Sequence, residues 1–177
     1  DSLDVLALDA ILVTDEINVR YLSGFTGDSS FLWVTSQGST ILSDGRYTAQ
    51  IAAQCKGIET QIRSSSQLLR DVVKEVIGAS GTKRVGIEAD KVTLAEFQFL
   101  ESACVATEFV ATTGVVEKLR MIKDEEEIAL TRKAVEIAEQ VFTELLPTLT
   151  SEQTERAVAH EIEHRMRLLG AEGCSFA

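Results

Sequence analysis

The sequence predicts an α/β protein: a mixed β-sheet flanked by helices, followed by a helical segment. Three observations carry that expectation. Short β-like runs alternate with helical runs over the first two thirds of the chain, which is the pattern of a layered α/β architecture. Two neighbouring β-like runs are joined by a tight turn containing glycine, so an antiparallel hairpin sits inside the sheet and makes it mixed. From about residue 116 the β-like runs stop and the texture becomes nearly all helical.

The elements follow in order. Ala10 to Val13 is a short apolar run and reads as the first strand. Asn18 to Ser30 mixes aromatic, small and polar residues with two glycines, and reads as a tight loop covering a sheet edge. Phe31-Leu32-Trp33-Val34-Thr35, a Gln37-Gly38 turn and Thr40-Ile41-Leu42 form the hairpin. Arg46 to Cys55 is Ala-rich and helical, and Ile58 to Ile62 alternates as a strand. Leu68, Leu69, Val72, Val73 and Val76 share one helical face, with Ser66 as N-cap and Gly78 as the stop. Arg84 to Glu88 is a strand. Thr93-x-x-Glu96 is a capping-box pattern that opens a helix to about Cys104. Glu108 to Thr112 is the last strand.

In the helical part, Asp124 is a good N-cap with Glu127 at N3. Leu130, Ala134, Ile137, Val141 and Leu145 form an apolar stripe. Pro147 ends that helix, and Thr150 or Ser151 starts a second one that runs to Leu169-Gly170. The segment Gly170 to Ala177 reads as a helix stop leading into a new strand. Two helices with one apolar face each cannot build a core alone, so they need a partner surface.

Composition narrows the functional classes. The 177 residues are 45% hydrophobic and 25% charged, and 17 basic against 28 acidic side chains leave a net charge of −11. A phosphate-backbone binder carries a basic footprint, so nucleic acid is not an expected partner. The longest uncharged run, Ser29 to Ser43, is too short and too polar to span a bilayer, so no membrane association is expected. Three widely spaced cysteines (Cys55, Cys104, Cys174) without a C-x-x-C pair argue against a disulfide framework and favour a reducing, cytoplasmic setting.

Three constellations could carry chemistry. His160-Glu161-Ile162-Glu163-His164 matches H-E-x-x-H, in which two histidines one turn apart hold zinc and the glutamate activates water. At about 100° per residue, Val158, Ile162, Met166 and Leu169 cluster, and the two histidines point roughly 160–200° away from them. The pair therefore reads as a coincidental match on a solvated face, and no metal site is assigned to His160 and His164. The second constellation is the Asn18 to Ser30 segment, which holds Phe25 and Asp28. The third is Leu42-Ser43-Asp44-Gly45-Arg46-Tyr47, where a strand end turns into a helix and sets Arg46 and Tyr47 at a sheet edge. The plain alternative is that Asp44 caps the helix and Arg46 pairs with a nearby acid. No G-x-S-x-G elbow is present, and Ser23 and Ser29 have no nearby histidine, the two histidines lying far along the chain, so a nucleophilic triad is not supported.

Taken together, these segments resemble the creatinase / Xaa-Pro peptidase family, the pita-bread metallopeptidases. The resemblance lies in Asp9 to Thr14, Asn18-x-x-Tyr21-Leu22-Ser23-Gly24-Phe25-Thr26-Gly27 and Asp44-Gly45-Arg46-Tyr47. It continues through Val85-Gly86-Ile87-Glu88, Leu119-Arg120-x-x-Lys123-Asp124-x-x-Glu127-Ile128 and Gly170-Ala171-Glu172-Gly173-x-Ser175-Phe176. It implies a creatinase-like N-terminal α/β domain over residues 1–118. Residues 119–177 would be the linker and first helices of a truncated α+β pita-bread catalytic domain.

The resemblance further implies hydrolysis of the bond preceding proline in short proline-containing peptides. That chemistry would use two divalent metal ions (Mn, Co or Zn) held by residues beyond Ala177, so this chain would hold no catalytic residue and would be inactive alone. A homodimer is implied, with Phe25, Asp28, Arg46 and Tyr47 as substrate-entrance or dimer contacts. A non-catalytic pita-bread homologue that binds other proteins, and a creatinase-type amidinohydrolase, are the alternatives.

Overall fold

The computed structural model describes residues 2–175. It separates into two compact units, residues 2–121 and 122–175.

The first unit is a six-stranded mixed sheet. Its strands are β1 (Ala10–Val13), β2 (Phe31–Thr35), β3 (Gly38–Ser43), β4 (Glu59–Ile62), β5 (Arg84–Glu88) and β6 (Glu108–Thr112), in spatial order β4-β3-β2-β1-β5-β6. The β1–β2 and β2–β3 pairs are antiparallel, and β1–β5, β3–β4 and β5–β6 are parallel. The helices are α1 (Ser2–Val5), α2 (Glu16–Ser23), α3 (Thr48–Gln54), α4 (Leu69–Ser80), α5 (Leu94–Ala103) and α6 (Val115–Met121).

β1 lies near the middle and is buried along its whole length. Ile11 and Val13 join a core with Val19, Phe25, Ile41, Ile51 and Val116. Ala10 and Leu12 join a second core with Val72, Val73, Ile77 and Leu100. The alternation sends successive side chains into opposite layers. A strand covered on both faces is apolar throughout, which is why β1 reads as a continuous run.

Several sequence expectations are corrected. Asn18 to Ser23 is not loop but most of α2, whose first turn is capped by Asp15 accepting from Asn18 N–H at 3.0 Å. The stretch from Arg46 to Cys55 divides into a 3-10 turn, Gly45–Tyr47, and α3. The N-cap of α4 is Leu68 rather than Ser66, because the Asp71 carboxylate reaches back to Leu68 N–H at 2.8 Å. The same helix passes through Gly78 and stops at Gly81, which takes φ 68°, the left-handed conformation of a helix terminator. The Thr93–Glu96 capping box forms as read: Thr93 Oγ1 accepts from Glu96 N–H at 3.2 Å and Glu96 from Thr93 N–H at 3.1 Å.

The second unit contains α7 (Glu125–Leu145), a 3-10 turn (Leu146–Thr148) and α8 (Glu155–Leu168). Asp124 caps α7 and Glu127 returns the bond, at 2.8 and 3.0 Å. Ile137, Val141 and Leu145 of the predicted stripe are buried, whereas Leu130 and Ala134 are exposed, so the apolar face works only in the second half of α7. The second helix begins after Thr154, three to four residues later than expected. Residues 171–175 form no strand, and Phe176 and Ala177 lie outside the described residues.

Candidate functional site

The sequence-predicted residues Phe25, Asp28, Arg46 and Tyr47 come together at one end of the sheet, where the loop after α2 meets the turn after β3. Tyr47 Oη donates to Asp28 Oδ1 at 2.5 Å. The Tyr47 ring stands edge-on to Phe25, with centroids 5.3 Å apart and planes at 84°, a favoured arrangement for two aromatic rings. The Arg46 guanidinium lies 5.2 Å from the Tyr47 centroid. Gly27 is needed where it is: a Cβ there would approach Tyr47 Cε1 and Phe25 Cε1 to 2.9 Å.

These four residues divide by exposure. Phe25 is wholly buried and serves as the floor on which Tyr47 rests. Asp28 and Arg46 present 58% and 66% of their side chains to solvent. The outward chemistry of the cluster is therefore a carboxylate, a guanidinium and a phenol edge.

Asp44 anchors the arrangement from below. Its carboxylate accepts from Arg46 N–H at 2.9 Å, from Arg46 Nε at 3.0 Å and from Arg46 Nη2 at 2.7 Å. Arg63 Nη2 stands 3.6 Å from the same group. The Arg46 bonds hold the Asp44 carboxyl down at about 2. Asp44 thus caps the turn and pairs with Arg46, as the plain reading of that motif had it. Asp28 is held below the ordinary carboxylate range by the Tyr47 hydroxyl, and the same bond pushes the Tyr47 phenol up. Ser30 and Ser43 close the base with a buried hydroxyl pair at 2.7 Å.

A second polar cluster was not legible as a motif. Glu88, buried at the end of β5, accepts from Thr14 N–H at 2.6 Å and Asp15 N–H at 2.9 Å. An anion is favoured there because α2 begins at that point with unsatisfied N–H groups. Asn18, fully buried, donates Nδ2–H to Glu88 at 2.7 Å and to Glu117 at 2.8 Å, and its Oδ1 accepts from Arg120 Nη1 at 2.9 Å. The Asn18 bond holds Glu117 below the ordinary carboxylate value. Lys91 Nζ, 3.4 Å from Asp15, closes the periphery and is raised by that carboxylate. The only sequence signals were an acid ending an apolar strand and an asparagine on the inner side of α2. With every partner satisfied, this cluster fixes α2 and α6 to the sheet rather than awaiting a ligand.

His160 and His164 are exposed on α8, on the side away from half-buried Ile162 and Met166. Among the described residues, no group of three or more His, Cys, Asp or Glu is placed to hold a metal ion. No helix among them is long and apolar enough to cross a membrane.

Known proteins share this architecture. The chain is 34% identical over 171 residues to the uncharacterized peptidase YqhT of Bacillus subtilis, covering 97% of this chain and 48% of that protein. The solved Xaa-Pro dipeptidase from Bacillus anthracis superposes with a TM-score of 0.90 at 31% identity, over 99% of this chain and 48% of that one. The X-Pro aminopeptidase from Thermotoga maritima superposes at 0.87 with 30% identity, over 98% and 50%. The chain spans about half the length of the curated relatives it matches. Residues 1–122 match the Creatinase/Prolidase N-terminal domain, and the chain belongs to that family.

Proposed function

We propose that this chain is the N-terminal part of an Xaa-Pro peptidase that hydrolyses the bond preceding proline. The two divalent metal ions (Mn, Co or Zn) and their ligands would lie beyond residue 177, so residues 1–177 alone are inactive. Residues 1–118 form the creatinase-like domain, and residues 119–177 form the linker and first helices of the catalytic domain. The domain mediates homodimerisation and shapes the substrate entrance in a cytoplasmic enzyme.

The observation that carries the reading is the Asp28–Tyr47–Arg46 cluster. It projects a rigid acceptor and a cation to solvent from a loop that Phe25 and Asp44 hold in one conformation. Such groups suit the termini of a short peptide: Asp28 for an ammonium, Arg46 for a carboxylate. Phe25 takes part as support for Tyr47, since it is buried, and the contacts fall to the other three residues.

The test is made in the full-length enzyme with Xaa-Pro dipeptides and longer Xaa-Pro peptides. Asp28→Asn and Tyr47→Phe are expected to raise KM and alter peptide-length preference with kcat nearly unchanged. Unchanged KM and length preference in both variants would remove the cluster from the entrance.

A further inference from the structure

We propose that Gln54 is a positioning residue for the entrance cluster: through Thr26 it holds the loop after α2 in the conformation that sets Asp28 against Tyr47. The inference rests on the entrance reading above and names what keeps that site in shape.

The chain from Gly24 to Ser30 needs outside support. α2 ends at Gly24, which takes the left-handed conformation at φ 74° and donates its N–H to the Arg20 carbonyl at 2.8 Å. Phe25 then enters the core. Gly27 follows, and glycine has the freest backbone of all residues. Ser29 takes φ 52°, a left-handed conformation in a residue with a Cβ, which persists only where the surroundings impose it. Asp28 lies between these two, so its place depends on what grips the chain on either side.

The downstream grip is Ser30, whose hydroxyl donates to the Asp28 carbonyl at 3.1 Å and pairs with Ser43 Oγ at 2.7 Å. The upstream grip is Thr26, and Gln54 supplies it. Gln54 Oε1 accepts from Thr26 N–H at 3.1 Å, and Gln54 Nε2 donates to Thr26 Oγ1 at 2.9 Å. A primary amide carries an acceptor and a donor side by side, so one side chain engages both the backbone and the hydroxyl of Thr26. Gln50, one turn earlier on α3, donates from Nε2 to Thr26 Oγ1 at 3.0 Å and to Gln54 Oε1 at 3.2 Å. It thereby orients the Gln54 amide, as neighbours four apart on a helix can.

Both glutamines stand on a fixed base. Ile51 of α3 and Cys55 just after it are buried in the same core as Phe25, and Cys55 N–H donates to the Ile51 carbonyl at 2.8 Å. The frame that seats the Phe25 ring is thus the frame that carries Gln54. The end of α2 runs close to it as well: a Cβ on Gly24 would lie 3.9 Å from the Gln54 carbonyl oxygen.

Thr26 and Gln54 are exposed, and hydrogen bonds between neutral groups in water contribute little to stability. Their consequence is placement. A loop released at Thr26 is free to turn at Gly27, relax Ser29 and withdraw the Asp28 carboxylate from Tyr47. The Tyr47 phenol, pushed up by its bond to Asp28, reports that contact directly.

The test uses the full-length protein with Gln54→Leu, Thr26→Val and Thr26→Ser, and circular dichroism checks that each is folded. Two quantities are read: the tyrosinate transition that disappears in Tyr47→Phe, and KM and kcat on Xaa-Pro peptides. Gln54→Leu is expected to move the Tyr47 transition down and to raise KM about three- to tenfold, the equivalent of a lost neutral hydrogen bond, with kcat within about twofold. Thr26→Val keeps its N–H but loses the hydroxyl, and should move both quantities in the same direction. Thr26→Ser keeps the hydroxyl and should restore both. A Tyr47 transition at its wild-type position in folded Gln54→Leu and Thr26→Val overturns the positioning role. So does a KM that these two leave unchanged while Asp28→Asn raises it. A lowered Tyr47 transition with KM unchanged in Gln54→Leu and Asp28→Asn alike upholds Gln54 as the support of Asp28 and overturns the entrance reading instead.

Discussion

Asn18 and Glu88 are joined by a buried amide–carboxylate hydrogen bond of 2.7 Å, and the same amide nitrogen reaches Glu117 on α6 at 2.8 Å. One side chain thereby ties the first βα connection to the sheet on one side and to the last helix of the α/β unit on the other. Hydrogen bonds to charged groups inside a protein are the expensive ones to break, because the charge left behind loses its compensation.

Removing that link tests it. Asn18→Ala leaves Glu88 with its two backbone donors but takes away one charge-assisted bond, the contact with Glu117 and one acceptor of Arg120. The expected loss is about 2–4 kcal/mol of unfolding free energy. Urea denaturation of the 177-residue chain measures it, and a loss below about 0.5 kcal/mol, the size of an ordinary surface change, would contradict the role given to Asn18.

The Phe25 platform makes a contrasting pair of predictions. Phe25 is fully buried, so Phe25→Ala should cost about 3–5 kcal/mol through lost transfer energy and a cavity. Gly27→Ala pushes a methyl into both rings and should cost about 1–3 kcal/mol as overpacking. Thermal or chemical unfolding reads both, and near-neutral values would mean that the loop repacks freely.

Acid should weaken the Asp44 anchor in a defined window. Its carboxyl sits at about 2 in the folded chain against 3.8 for a free side chain. A depressed folded value means that the stabilisation is complete above 3.8 and is lost as pH falls toward about 2. Stability measured against pH should therefore drop through that interval in the wild type and drop less in Asp44→Asn. Equal slopes in the two proteins would contradict the anchoring.

Alkali acts on the partner bond. Asp28 raises the Tyr47 phenol above its ordinary 10.0, so the Tyr47 contribution persists below 10.0 and disappears as pH rises through the folded value. The chain has two tyrosines, Tyr21 and Tyr47. Tyrosinate absorbance should show the Tyr47 transition missing in Tyr47→Phe and shifted down in Asp28→Asn.

The histidine pair of α8 gives a prediction of no effect. His160→Ala with His164→Ala should leave the full-length enzyme's activity within about twofold, as expected for exposed positions away from the chemistry. A collapse of activity would return the H-E-x-x-H match to consideration as a metal site.

Legibility in the sequence followed the physics of each element. β1, β2, β5 and β6 were placed to the residue because each is a β-rich run bounded by polar or turn residues. The caps of α5 and α7 were visible because a capping box is a local pattern. Helix α2 was missed because its buried side carries Asn18 and Ser23 beside Val19, so the apolar periodicity that announces a helix is absent. Gly78 misled because a helix-interior glycine costs only about 1 kcal/mol, which the packing of Ile77 beside it can outweigh. Asp28, Arg46 and Tyr47 were legible as candidates from their loops, yet the buried position of Phe25 was not. The Glu88–Asn18–Glu117–Arg120 network joins residues 70 to 102 positions apart, and no local pattern encodes such a meeting.

The proposed function puts the chemistry outside these 177 residues. It is tested most directly by release of proline from an Xaa-Pro dipeptide in the presence of Mn²⁺, measured side by side for the full-length protein and for residues 1–177. Turnover by the full-length protein and none by the 177-residue chain is the predicted result. Turnover by the 177-residue chain alone would contradict it.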